Sequence, residues 1–347
     1  MVKSSVETKR VTWQELIRRL AANGFDKSYL YRKVLPAWWN SRIANTPAGF
    51  QQGALLLSRF LGLDYTALLE GKVEPSAERR QCLEVYSIKH KLRYTETADS
   101  VQVATQIACQ AAELLADLLI DLLPVRPLAS VPSEIREELL GQYEQINFNT
   151  LLNFCWEHGI PVLHISTFPK NAHKPDALVV QTQTRPVIVL CQRKGPAWLL
   201  FHLAHELAHL SLGHLQRTAI RVDNEVKTGS DDSEEEMANN FALEFLTDSQ
   251  ELQFAEELPS VKQLTTEALK IGAVAKVDPG LLVLEYGYRK SNWKLVQSAL
   301  KRIEKLQEPS TSDPPKLIVD QIRRHIPSDD GFSDIADYLM RITAAEK

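Results

Sequence analysis

Ten residues, His205 to His214, read H-E-L-A-H-L-S-L-G-H inside an apolar run from Trp198 to Leu215, and they restrict the chain more than any other stretch. On a helix, positions four apart lie one turn apart on one face, so the spacing of His205 and His209 aims both imidazoles at one point. Two imidazoles so placed can grip one zinc ion. Glu206, the next residue round, can reach the open side of that ion, where a carboxylate can take a proton from an activated water. The pattern is that of a zinc-dependent hydrolase, most often a peptidase. The competing reading, a histidine pair without a metal, loses weight from Leu199, Leu200, Leu203, Leu207, Leu210 and Leu212. They predict a buried helix that holds ligands rigidly, and Gly213 predicts its end.

Composition limits what surrounds this helix. At 347 residues, with 44% hydrophobic and 24% charged residues, the chain is long enough for two or three cores and ordinary enough not to be disordered or fibrous. No run of eighteen apolar residues occurs and the segment Met1 to Arg10 is polar, so neither a membrane span nor a secretory signal is expected, and a cytoplasmic location is. The four cysteines, Cys82, Cys109, Cys155 and Cys191, contain no C-x-x-C pair and are expected to be reduced, mostly buried thiols.

Four regions follow from patterning, and the expected fold class is α+β, mainly α. Residues 1–72 are predicted to be a small helical domain. Thr12 and Glu15 suggest a capping box for a first helix with Trp13, Leu16, Ile17 and Leu20 on one face; Asp26 caps a second, and another runs from Pro47 to Gly62. This region carries eleven Lys or Arg against five Asp or Glu, 11 − 5 = +6. Such an excess is either a nucleic-acid footprint or solvated surface charge on a protein-docking module. Residues 73–135 are predicted to be a helical connector whose wide Ala/Leu face is open to dimerisation.

The core of the chain is expected at 136–305: a zincin-like domain with a helix from Glu134 through Cys155, three short strands (160–165, 177–180 and 186–190), and then the histidine helix. Phe168 to Asp176 is expected to be a mobile loop near the cleft. Residues 306–347 form a linker and a helical tail, read as an appended interaction element.

Two histidines do not complete a catalytic zinc site, which usually has three protein ligands. Between Gly229 and Pro259 there are acids and no Lys or Arg. Asp231, Asp232 or Ser233 can cap a helix that follows, with Met237, Phe241, Phe245 and Leu246 as its apolar face. Glu235-Glu236-Met237-Ala238-Asn239 has the spacing E-x-x-A-N, which resembles that of zinc peptidases whose third ligand is a helical glutamate and whose following Asp or Asn can support a metal-bound histidine. Glu235 is therefore the expected third ligand, with Glu236 and Glu234 as alternatives. A site of two histidines and one glutamate takes Zn2+ and is also compatible with Mn2+. His202 and His214 can approach the cleft, as supporting or surface residues; the group that stabilises the transition state is not identified.

The string F-H-L-A-H-E-L-A-H-L-S-L-G-H, preceded by P-V-I-V-L and followed by E-E-M-A-N-N-F-A, resembles the ImmA/IrrE family of metallopeptidases over about Leu151 to Lys305. The stretch Ala275 to Val283, with Asn292-Trp293 and Leu300-Lys301, resembles the helical C-terminal part of members fused to a helix-turn-helix domain. Phe50 to Ala54 and Leu61 to Leu69 resemble parts of the XRE-type helix-turn-helix. The chain departs from the family at Ala208, where glycine is usual, and at Phe245-Leu246-Thr247, where L-M-P is frequent. The resemblance implies a site-specific protease that cuts a cognate transcriptional repressor, in stress responses or mobile-element induction. The reading from another class is a DNA-binding regulator whose metallopeptidase-like domain is a sensor or inactive.

Overall fold

A computed structural model describes residues 11–77, 79–80, 98–121, 124–215, 220–223, 233–248, 254, 258–306, 313–326 and 333–343. Met1 to Arg10, Cys82, Asp231 and Asp232 lie outside the described residues. The chain divides into two compact units. One comprises Met1–Ala111, Thr167–His173 and Asp330–Ile342, and the other Ala112–Ser166, Lys174–Asp329 and Thr343–Lys347.

The first unit is helical. Helix α1 (Trp13–Ala22) buries Trp13, Leu16, Ile17 and Leu20, as its periodicity predicts. Thr12 caps it, but the reciprocal half of the capping box does not form. The Glu15 carboxylate instead accepts from Arg18 and Arg19 at 2.8 to 2.9 Å, because arginines three and four residues on offer charge-assisted bonds that one backbone amide does not match. After α2 (Lys27–Tyr29), capped by Asp26, the chain makes a π turn over Leu30–Val34 and a short α3 (Ser41–Ala44). Helix α4 (Pro47–Leu61) starts at its Thr46 cap and stops at Gly62, and Asp64 caps α5 (Tyr65–Leu69). Gly53, inside α4, lies beneath two indoles: a Cβ there would fall 2.5 Å from Trp13 and 2.6 Å from Trp39, so only glycine lets the rings close over the helix. The division between the units falls within α6 (Ala98–Leu118).

One sequence expectation for this unit changes. Lys33, counted in the +6 excess, is buried, and its ammonium donates to the Arg341 carbonyl at 2.8 Å. Of the segment Phe168 to Asp176, expected as a mobile loop near the cleft, the part up to His173 clusters with this unit, where the Lys170 amide donates to Asp26 at 2.9 Å.

The second unit is α+β. The helix expected from Glu134 through Cys155 is two, α7 (Pro132–Gln142) and α8 (Phe148–Glu157), because Asn147 and Thr150 form a capping box that starts a new helix. In the break, Ile146 pairs in parallel with Val277. The three predicted strands are β1 (Val162–His164), β2 (Ala177–Gln181) and β3 (Pro186–Leu190), and a fourth, unpredicted strand is β4 (Ile220–Asp223). The sheet order is β1-β3-β2-β4, with β1 parallel to β3 and the other pairs antiparallel. Leu178, Val179, Val187, Ile188 and Val189 are fully buried, as expected of short strands covered on both faces.

Helix α9 (Pro196–Ser211) carries the histidines. It starts with proline at its first turn and packs against α8, β2, β3, α10 (Ser233–Thr247) and α12 (Pro279–Lys290), with α11 (Val261–Ala275) and α13 (Trp293–Glu304) completing the layer. A helix buried nearly all round must be apolar all round, which is what the run from Trp198 provides. Among the described residues, no helix is long and apolar enough to cross a membrane.

The tail supplies α14 (Pro314–His325), in the second unit, and α15 (Ser333–Thr343), nearly all of it in the first. Their apolar stripes are buried: Ile318 and Ile322 on α14, and Ile335, Tyr338, Leu339 and Ile342 on α15. The expectation of an appended element is thus corrected, since each helix completes a core. Phe332, also expected on that stripe, lies outside the described residues.

Candidate metal centre and active site

Helix geometry brings three side chains together. His205 and His209 share a face of α9, and their Nε2 atoms lie 2.9 Å apart. Glu235, in the first turn of α10, places Oε2 3.2 Å from His205 Nε2 and 3.7 Å from His209 Nε2. All three ligand atoms lie within 4.8 Å of one another, and all three residues are buried.

Why Glu235 and not its neighbours follows from the periodicity of α10. The buried stripe runs through Glu235, Ala238, Phe241, Ala242 and Phe245 at spacings of three and four, while Glu234 is half-buried and Glu236 exposed. Small residues at Ala238 and Ala242 let this face approach α9 closely. Met237, expected on the apolar face, lies off the stripe and is half exposed.

Burial alone would raise the Glu235 carboxyl, but hydrogen bonds with His205 and His209, and then their charge, hold it well below the usual carboxylate range. Three acceptor atoms this close in a buried site repel unless something cationic lies between them, whether protons on the imidazoles or a metal ion. Two imidazole nitrogens and one carboxylate oxygen, on two rigid helices, form a donor set that fits a divalent ion such as zinc.

Around these three, the other candidate residues fall as follows. Glu206, 1% exposed, sits one helical step beyond His205. His202, one turn before Glu206, is buried, and both its ring nitrogens lack a hydrogen-bond partner among the described residues. Burial, then the charges of Lys194 and His205, push its pKa down to about 3. His214 Nδ1 lies 2.9 Å from His209 Nδ1. Asn239, expected to support a histidine, has its Oδ1 buried with no hydrogen-bond partner among the described residues. Cys109, Cys155 and Cys191 are buried, as expected.

One positioning group gave no sequence signal. Arg136 is buried on α7, and its guanidinium donates to the carbonyls of Phe245 at 3.1 Å and Leu246 at 2.6 Å, and also to that of Ala275. It thereby caps the C-termini of both α10 and α11. Nothing in S-E-I-R-E-E-L-L distinguishes this arginine from a solvated one.

Residues 155–277 match the model of the peptidase family M78, described as the IrrE N-terminal-like domain. No curated protein and no solved structure matches the chain. The matched segment contains His205, Glu206, His209 and Glu235, so the buried cluster lies within the part of the chain that is similar to this peptidase family, which supports the ImmA/IrrE resemblance. It does not reach residues 1–72, and the helix-turn-helix resemblance there finds no support in the comparisons.

Proposed function

We propose that this protein is a metal-dependent endopeptidase of the IrrE kind that cuts another protein, a transcriptional repressor being the substrate class the resemblance suggests. The observation that carries this reading is the convergence of His205, His209 and Glu235 from two helices within a peptidase-type segment. These three residues would hold one divalent ion, Zn2+ first and Mn2+ as the alternative. When bound, such an ion supplies Lewis acidity toward a water and a scissile carbonyl.

The chain's own residues have distinct tasks. Glu206 lies beside His205 on the same helix and is not needed as a ligand, so its carboxylate is available to take a proton as the peptide bond is attacked. The same carboxylic acid then returns that proton to the departing amine. Burial of Glu206 and of the three candidate ligands strengthens each electrostatic contact among them.

The test is incubation of purified protein and Zn2+ with candidate repressor proteins. A discrete cut is expected, with Glu206→Gln slowing it by at least about 100-fold while leaving Zn2+ stoichiometry at one. Equal cutting by the Gln variant would remove Glu206 from the mechanism, and failure of wild type to bind either Zn2+ or Mn2+ would remove the reading itself.

A further inference from the structure

We propose that His214 is a positioning residue for His209: through a ring-to-ring hydrogen bond it fixes which nitrogen of His209 faces the metal ligands, and in what orientation. This inference rests on the metallopeptidase reading above.

The two nitrogens of His209 face different neighbours. Nε2 points at His205 Nε2, 2.9 Å away, and at Glu235 Oε2, 3.7 Å away. Nδ1, on the other side of the ring, lies 2.9 Å from Nδ1 of His214. Two imidazole nitrogens at that distance share one proton, one donating and one accepting. A nitrogen that binds a cation must offer its lone pair, so the His209 proton belongs on Nδ1. His209 Nδ1–H then donates to His214 Nδ1, and His214 carries its own proton on Nε2. This assigns a tautomer to both rings, and the 56° angle between them holds the plane of His209 from the side away from the cluster.

Chain geometry shows that this contact is built by the turn that ends α9. Had the helix continued, a residue five positions beyond His209 would stand roughly 140° round and about 7.5 Å further along, facing elsewhere. Instead the Gly213 amide bonds the Leu210 carbonyl at 3.1 Å, and Gly213 adopts φ of +70°, in the left-handed region. The His214 amide then returns to the His209 carbonyl at 3.0 Å, the six-to-one bond of a Schellman-type stop. Backbone and side chain of His214 thus both engage His209. The G-H that follows the helix in sequence serves as a stop signal and delivers the supporting ring.

The test measures metal binding by the full chain rather than catalysis. Metal-free wild type, His214→Ala, His214→Asn and Glu235→Ala are titrated with Co2+ against a chromophoric chelator, and the visible absorption of the bound Co2+ is recorded. His214→Ala is expected to bind Co2+ about 10- to 100-fold more weakly, with an altered absorption band. His214→Asn puts Oδ1 close to where the histidine has Nδ1, and so restores the acceptor; it should recover most of the affinity and the wild-type band, which general damage to the fold would not allow. Gly213→Ala leaves both rings intact and meets no neighbouring atom, but its left-handed φ is strained for alanine, so it too should weaken binding. Affinity and spectrum unchanged in His214→Ala would overturn the role of His214 and leave the metal site standing. If wild type binds no more Co2+ than Glu235→Ala, the metal site and this role fall together.

Discussion

His202 sets a pH dependence that can be separated from that of the candidate metal cluster. Its ring is buried with neither nitrogen bonded among the described residues, and desolvation, followed by the nearby charges of Lys194 and His205, puts its pKa near 3 against 6.5 for an exposed histidine. Between those values the unfolded chain binds a proton that the folded chain refuses, so stability rises with pH through this window and is lost as pH falls below about 6.5. At about 1.4 kcal/mol per pH unit, acidification from 7 to 5 should cost the metal-free protein on the order of 2 kcal/mol through this residue alone. His202→Gln should lose correspondingly less over the same range in urea unfolding. Histidine NMR checks the cause: the His202 ring should show no protonation step between pH 8 and 5. A midpoint near 6.5 would mean that the ring has a partner or access to water, and the stability difference should then vanish as well.

At the scale of elements, Arg136 holds the ends of two helices at once. It makes three donor contacts to the carbonyls closing α10 and α11, and α10 is the helix that presents Glu235. Hydrogen bonds from a charged group contribute more than neutral ones, and deletion strands buried carbonyls, so Arg136→Met should cost about 3 kcal/mol. Arg136→Lys should recover less than half, because an ammonium on a flexible stem does not match a planar fork. Thermal unfolding of the three proteins checks both statements; equal stability of wild type and Arg136→Met would show that these contacts are dispensable.

The same element scale explains what was legible in the chain. His205, His209 and Glu235 could be read as a candidate metal site because a metal demands particular donors at helical spacings, and α9 had to be buried because its residues are apolar on nearly every side. Local chemistry also located the first two helix starts, through Thr12 and Asp26. What remained hidden depends on residues distant in sequence. Arg136 finds partners 109 to 139 positions away, β4 needs β2 to be recognised as a strand, and the failed capping box at Glu15 was decided by competition with two arginines. His214 was legible as a histidine near the cleft, but its bond to His209 exists only because Gly213 turns the chain back.

For the whole molecule, the C-terminal segment decides whether the first unit is complete. Tyr338 stacks on Phe60 with ring centroids 4.5 Å apart, and its hydroxyl donates to the Phe60 carbonyl at 3.0 Å. Helix α15 and the π turn also cap each other: Arg341 donates to the carbonyls of Lys33 and Val34 at 3.2 and 3.1 Å, while Lys33 donates to that of Arg341. Removing residues 327–347 would expose the surfaces that Ile335, Tyr338, Leu339 and Ile342 cover. At about 1.5 to 3 kcal/mol for each large side chain, the loss is on the order of 6 to 12 kcal/mol, comparable with the whole stability of a typical domain. The second unit keeps α14, with Ile318 and Ile322 buried and Trp156 stacked on His325 at 4.7 Å, and keeps its three metal-site side chains. A chain ending at Ile326 should therefore be cut rapidly by added protease between residues 11 and 111 and within Thr167–His173, while residues 112–166 and 174–326 stay resistant and still bind Co2+. Resistance of the first unit in that truncated chain would show that its core is complete without α15, and loss of Co2+ binding would show that the metal site depends on the first unit.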